Sequence, residues 1–214
     1  MALSKVNFNS LNVTPSASKA IKFNSSNNGL ETGDVGGSLV LISTQTASSS
    51  STISFTSGID STYKEYVFKL IDIHHSADGG QISFQGNAAG GSGYNETMTT
   101  TFFEAYHSED DSATGLGYVA NNDQAQGTSG QMLFPDVSND NDSGSSGTLH
   151  LFNPSSTTFV KHFIFRGAMH HRSHYAFDVY VAGYFNTTSA IDEVQFKPNT
   201  GTIDSGTIKM YGVL

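Results

Sequence analysis

The sequence contains no cysteine and no tryptophan, and only 14% of its 214 residues are charged. Without cysteine the chain cannot be held together by disulfides, and a zinc site built on thiolates is excluded. Charged residues make up about 25% of an average globular domain, so the polarity of this chain comes from serine, threonine, asparagine and its 22 glycines. These residue types have low helix propensity and suit turns and strands.

Basic residues are also scarce, with 10 lysines and arginines against 19 acidic residues and a net charge of −9. A basic surface is the usual mark of proteins that bind nucleic acid or an anionic membrane, so we expect neither partner. No apolar run approaches the roughly 20 residues that span a bilayer. The first residues lack the apolar segment of a secretion signal, and we therefore expect synthesis in a cytoplasm.

Residues 1–36 are predicted to form a separate, extended N-terminal arm, because they contain too few large apolar side chains to build a core. A disordered tail is the alternative. Apolar positions spaced regularly by polar ones favour an arm that becomes ordered by docking on a partner or a sister subunit. The docking residues would be Val6, Phe8, Leu11, Val13, Ile21 and Phe23.

Residues 38–214 are predicted to form one all-β domain, a jelly-roll-like β-sandwich. No segment shows a convincing helical period, whereas alternating apolar residues are typical of strands. Apolar residues on both faces of the segment 63–75 predict a strand that is covered on two sides. Three long loops are expected at 86–96, 108–115 with 121–131, and 136–147. The strands are predicted at 38–44, 52–56, 63–75, 81–85, 97–107, 116–120, 148–152, 158–167, 175–185, 193–197 and 206–213.

Three of the eight histidines, His170, His171 and His174, lie in a predicted turn between two strands. His170 and His174 are four residues apart, but spacing in a turn carries little ligand geometry, and a metal site would also need a third ligand. We expect ordinary solvated or hydrogen-bonded histidines here and no metal or other cofactor. A metal site and stacking between subunits are the alternatives.

The acidic residues do not match a known catalytic or calcium-binding pattern. The run 136–142 resembles a calcium loop, but asparagine stands where the loop needs glycine and no glutamate follows. A glycosidase needs two carboxylates facing each other across a cleft, and sequence proximity alone does not place them so. A nucleophile elbow and a phosphate-binding loop are absent from the sequence, and we expect no enzymatic activity. The carboxylates considered are Glu104, Glu109, Asp110 and Asp111.

Four short motifs stand out near the two ends of the predicted domain. They are the strand Ile53-Ser-Phe55, the turn Gly58-Ile59-Asp60, the strand start Tyr63-Lys-Glu65-Tyr66 and the ending Ser205-Gly-Thr-Ile-Lys-Met-Tyr-Gly-Val-Leu214. Through these motifs the stretches 38–75 and 192–214 resemble β-domains of structural proteins in the particles of tailed bacteriophages, particularly marine and cyanobacterial phages. The middle of the chain, 86–147, shows no such resemblance, and the family offers no catalytic residues to transfer.

The resemblance implies a non-enzymatic structural component of a virion, assembled in the host cytoplasm. A tail-fibre, tail-tip or attachment protein would contact a glycan or protein of the host surface, and a capsid decoration protein is the alternative. Because fibre and decoration proteins of this type are frequently trimeric, we expect a homotrimer whose other partners are virion proteins. A hypothesis from a different class is a carbohydrate-binding or carbohydrate-active β-sandwich.

Overall fold

The structure, a computed structural model, describes residues 13–14, 19–26, 28–34 and 38–214. All regular secondary-structure elements among these residues are β-strands, which confirms the all-β prediction. No described residue belongs to a helix long and apolar enough to cross a membrane. The chain consists of two compact units, residues 1–38 and 39–214, because most contacts between residues lie within one unit or the other. Each unit is described by itself. Val6, Phe8 and Leu11 lie outside the described residues.

The described part of the first unit is a β-hairpin in the region where an extended arm is expected. Strands β1 (Lys19–Phe23) and β2 (Leu30–Asp34) pair antiparallel, with Phe23 opposite Leu30. The chain reverses because the Asn24 amide N–H donates to the Gly29 carbonyl at 2.9 Å. The Asn24 side chain also donates to the Asn28 side chain at 2.9 Å. Asparagine and glycine favour such turns.

The second unit contains a sheet of thirteen strands. The order of the main path is β3-β15-β5-β11-β12-β10-β6-β14-β4, and a branch runs from β12 through β13 and β7 to β8 and β9. The strands are β3 (Leu39–Thr46), β4 (Ile53–Phe55), β5 (Glu65–His75), β6 (Gly80–Ala88), β7 (Met98–Ser108), β8 (Thr114–Tyr118), β9 (Ala125–Gly127), β10 (Gln131–Val137), β11 (Ser145–Phe152), β12 (Lys161–His171), β13 (Tyr175–Phe185), β14 (Ile191–Pro198) and β15 (Ile203–Val213).

The sheet folds into two layers that meet where β10 touches the end of β12. That junction is a single pair, Val137 opposite His171, whereas β12 pairs along its length with β11 and β13. The larger layer therefore runs β3-β15-β5-β11-β12-β13-β7, with β8 and β9 both pairing with β7, and the smaller layer runs β10-β6-β14-β4. This arrangement is a β-sandwich, as predicted.

Phenylalanine rings fill the space between the layers. Phe84 on β6 meets Phe163 on β12 edge to face, with centroids 4.8 Å apart. Phe55 on β4 meets Phe68 on β5 at 5.3 Å, and Phe134 on β10 meets Phe165 on β12 at the same distance. All six side chains are buried. Edge-to-face packing is a preferred geometry for aromatic pairs, so the rings fix the spacing of the layers.

The prediction that both faces of the segment 63–75 are covered is only partly correct, and a β-bulge is the reason. Asp72 has a positive φ of 50°, and the pairing of β5 with β15 and with β11 shifts register around it. The extra residue turns Ile73 back toward the core, where it is buried, and leaves Ile71 38% exposed on the other face. A bulge reverses the alternation of side chains beyond it.

Several predicted loops and boundaries are corrected by the structure. Residues 86–88 extend β6, residues 145–147 begin β11, and β10 occupies Gln131–Val137 between two predicted loops. Gln131, which is fully buried, accepts from the Thr100 hydroxyl at 2.6 Å. The strand predicted at 158–167 begins only at Lys161, so Phe159 precedes β12 and is 68% exposed.

Candidate functional site

The hairpin of the first unit exposes one of its apolar side-chain rows. Ile21 and Phe23 are two residues apart on β1 and share one face of the strand, with Phe23 73% exposed. Lys22, which points to the other face, forms an ion pair with Glu31 at 3.4 Å. Val13 is half-buried and lies outside any strand. Ile21 and Phe23, two of the residues predicted to dock, are therefore exposed, and their docking role stays a prediction.

The outer face of the larger layer carries a row of mostly apolar side chains across six strands. We call this row, together with the patch described next, the outer sheet face. Pairing in the ladders places its members directly opposite one another, on strands β3, β15, β5, β11, β12 and β13. The row is Leu41, Tyr211, Val67, His150, Ile164 and Ala182. Leu41 and Ile164 are exposed.

An aromatic patch continues the outer sheet face over β13, β7 and β8. The rings of Phe103 and Tyr180 are stacked, with centroids 4.7 Å apart and planes 3° apart. Tyr118 lies opposite Phe103 on β8. Tyr118 is 57% exposed and Leu116 is 75% exposed. Large exposed apolar patches on a soluble domain mark interaction surfaces.

One ion pair orders the centre of this patch. The Arg166 guanidinium lies over the Tyr180 ring at 4.9 Å, and its Nη2 is 2.8 Å from Oδ2 of Asp178. The Tyr180 hydroxyl donates to the same oxygen at 2.9 Å. The hydrogen bond from Arg166 holds the pKa of Asp178 below its ordinary value. A hollow of about 550 Å³ is lined by Arg166, Tyr180 and Ile164, among other residues.

The histidines at the end of the β12–β13 hairpin divide into two environments. His170 and His174 come together, with ring centroids 5.7 Å apart. Glu109, which follows β7, joins them: its Oε1 lies 3.5 Å from Nε2 of His170. The possible ligand atoms of these three side chains all lie within 4.8 Å of one another. The structure thus brings two of the three predicted candidates together with a carboxylate from a distant part of the sequence.

His171 lies apart from this group. Its ring stacks on Phe177 at 4.8 Å and on Tyr175 at 5.5 Å. Burial is the main cause that lowers the pKa of His171, which favours the neutral form of the ring.

The carboxylates considered from the sequence have separate partners. Burial, followed by the charge of Asp136, raises the pKa of Glu104 on β7. Asp110 accepts a hydrogen bond from the Ser112 amide at 3.0 Å, and Asp111 lies 3.1 Å from Nε2 of His107. In the run 136–142, Asp136 is paired with Arg172 and Asp140 bonds to Ser138. Asp136 and Asp140 therefore contact different side chains.

Sequence patterns alone reveal neither the outer sheet face nor the cluster of Glu109, His170 and His174. Alternation along β12 and β13 shows which residues share a face, but it does not show which neighbouring strands extend that face. Glu109 and His170 meet because β7 pairs with β13, with Ser108 opposite Tyr175. A prediction of that strand pairing would have found the cluster.

The chain matches no known family model and no curated protein. Among solved structures it is similar to the marine PL-14 alginate lyase from Aplysia kurodai, with 12% sequence identity and a TM-score of 0.33. That similarity covers 92% of this chain and 87% of the lyase chain. A TM-score this low supports no functional inference.

Proposed function

We propose that this chain is a non-enzymatic structural component of a bacteriophage particle, of the tail-fibre, tail-tip or attachment type, and that it works as a homotrimer. A capsid decoration protein is the alternative within the same class. The observation that carries the proposal is the outer sheet face, which leaves Leu116, Tyr118 and Ile164 exposed. Burying one such side chain contributes roughly 1.5–3 kcal/mol, so contact between subunits is a favourable use of this surface.

The two stretches that resemble virion proteins support the proposal because they form one structural unit. Stretch 38–75 contributes β3, β4 and β5, and stretch 192–214 contributes most of β14 and all of β15. Strand β15 lies between β3 and β5, and β14 pairs with β4. Each strand of one stretch thus pairs with a strand of the other, as expected if the two stretches are retained together.

The hairpin of the first unit also supports the proposed role in a phage particle. Its hairpin presents Ile21 and Phe23 on one face, which suits a segment that docks on a neighbouring virion protein. The free energy gained by burying these side chains is nearly offset when the arm docks, because ordering a residue costs about 1–2 kcal/mol of backbone entropy. A partner that also supplies strand hydrogen bonds would shift this balance toward order.

Purified particles test the proposal directly. Mass spectrometry should find the chain in particles banded by density, and cryo-electron microscopy should place it at a repeated position. Deleting residues 1–36 should leave the second unit folded and abolish incorporation. Full occupancy of the truncated chain would contradict the docking role of the arm, and absence of the complete chain from particles would contradict the virion assignment.

Carbohydrate binding is the second candidate function, favoured by the patch formed by Phe103, Tyr180, Arg166 and Asp178. Aromatic rings beside convergent polar groups in a hollow are typical of ligand sites. Titration with oligosaccharides from host surfaces should quench tyrosine fluorescence, and Tyr180→Ala should abolish the response. A response that is unchanged in this variant would exclude the patch as the sugar site.

A further inference from the structure

We propose that Glu109, His170 and His174 form a binding site for one divalent transition-metal ion, Zn²⁺, which ties the β12–β13 turn to the end of β7. The proposal is independent of the virion assignment and departs from the sequence expectation of ordinary histidines. Two imidazoles and one carboxylate are a donor set that zinc accepts, with a fourth position open for water or another ligand.

The backbone brings the three residues together before any ion is bound. Strand β13 pairs with β7, and the Glu109 amide donates to the His174 carbonyl at 3.0 Å. His174 has a positive φ of 61°, and its amide donates to the His171 carbonyl at 2.8 Å. The turn that positions His174 is therefore the same turn that holds Glu109.

His170 is oriented as a metal ligand. Its Nδ1 lies 2.6 Å from Oγ of Ser143, in the loop between β10 and β11. With the proton on Nδ1 donated to this hydroxyl, the lone pair of Nε2 faces Glu109. Nε2 is buried and has no hydrogen-bond partner among the described residues. Metal-bound histidines characteristically use their second nitrogen in this way, and a buried unpaired nitrogen is otherwise unfavourable.

The distances are close to those of a bound state. Ligand atoms around a tetrahedral zinc ion lie roughly 3.3–3.5 Å apart, given bonds of about 2.0–2.1 Å. The Glu109–His170 separation is already 3.5 Å, and the third ligand atom lies within 4.8 Å of the others. Glu109 and His174 are exposed, so their side chains can rotate inward without displacing the core.

Imidazole nitrogen also decides which ion fits. Calcium and magnesium prefer oxygen ligands, whereas imidazole suits zinc and its neighbours. A site with two histidines should therefore take Zn²⁺, and Co²⁺ as its spectroscopic substitute, and should reject Ca²⁺.

The test uses the complete chain without a histidine tag. Calorimetric titration should show one saturable Zn²⁺ site per chain, Co²⁺ should give the visible absorption of a four-coordinate ion, and zinc should raise the Tm. Glu109→Gln and His174→Asn should each weaken binding by more than about tenfold. Ser143→Ala should weaken it by about 10–100-fold, because it releases the orientation of His170.

Two variants serve as matched controls. Asp111→Asn changes a neighbouring acidic residue that, like His174, has a positive φ, where asparagine is tolerated. His162→Asn removes an exposed histidine from the middle of the larger layer. Both should bind zinc as the unmodified chain does, and circular dichroism should show every variant folded. Binding that survives both ligand substitutions, several weak sites without a saturable one, or equal binding of Ca²⁺ would each overturn the proposal.

Discussion

Nδ1 of His74 lies 2.7 Å from Oδ1 of Asp204, and Nε2 of the same ring lies 3.0 Å from the carbonyl oxygen of Asp140. His74 on β5 thereby connects β15 with the loop that follows β10. Burial acts to lower the pKa of His74, but the hydrogen bonds to Asp204 and Asp140 outweigh it, and the net pKa is raised.

This pair predicts a pH-dependent contribution to stability. Because the folded-state pKa of His74 is raised, the contribution is complete below the unfolded pKa of about 6.5 and is lost as the pH rises through the folded pKa. Asp204→Asn should therefore lose more unfolding free energy at about pH 5.5 than at about pH 8.5. Urea unfolding at both pH values measures the difference. The exposed Asp142→Asn is the control, and an equal loss at both pH values would contradict the prediction.

Phe84 is predicted to be a major contributor to core stability. Its ring contacts Phe163, Phe185 and Phe196, with centroids 4.8, 6.0 and 6.4 Å away. Phe84→Ala should cost about 3–5 kcal/mol, since the rings around it cannot close the cavity. Phe159→Ala, at a largely exposed position, should change the unfolding free energy by about 0.5 kcal/mol or less. Similar losses for both variants in urea unfolding would refute this view of the core.

Gly206 is predicted to be irreplaceable at the bulge. Its φ is 114°, and an added Cβ would lie 2.6 Å from the Asp72 carbonyl oxygen. Since the obstructing atom is backbone, Gly206→Ala should cost at least about 1–3 kcal/mol. A Cβ at Gly117 meets no atom within 4 Å, so Gly117→Ala should be nearly neutral. Thermal unfolding of the two variants makes the comparison, and a Gly206→Ala protein as stable as the parent would be inconsistent with a tight bulge.

The outer sheet face is predicted to hold subunits together. Leu116→Ser should leave the fold intact, changing stability by about 0.5 kcal/mol or less because the side chain is largely exposed, but it should shift the trimer toward monomer. Light scattering coupled to size-exclusion chromatography reports the mass. Phe159→Ser, which removes an exposed ring outside this face, should keep the trimer. A parent chain that is monomeric at micromolar concentration would remove the basis for the prediction.

Most strands could be predicted because their alternation is local. The prediction for 175–185 matches β13, where Phe177, Val179 and Val181 are buried and the residues between them are less so. Strand β10 escaped prediction because it contains Pro135 and begins with a buried glutamine, both unusual within strands.

Features that depend on two distant segments could not be predicted in the same way. The bulge at Asp72 adds one residue to β5 and is invisible in the apolar pattern, yet it places Ile71 and Ile73 on opposite faces of the strand. The meeting of Glu109 with His170 depends on the pairing of β7 with β13. Hairpin neighbours can be inferred from a turn between them, but a ladder between strands far apart in sequence has no local signal.

The position of β15 also sets the order in which this domain can form during synthesis. Strand β5 leaves the ribosome early, but its partner on one side is β15, which emerges last among the described strands. Until then β5 has an open edge, and open edges invite pairing with other chains. Ladders between such distant segments also close slowly. Completion of the domain therefore waits for β15, and the period of aggregation risk ends when Ile203–Val213 inserts between β3 and β5.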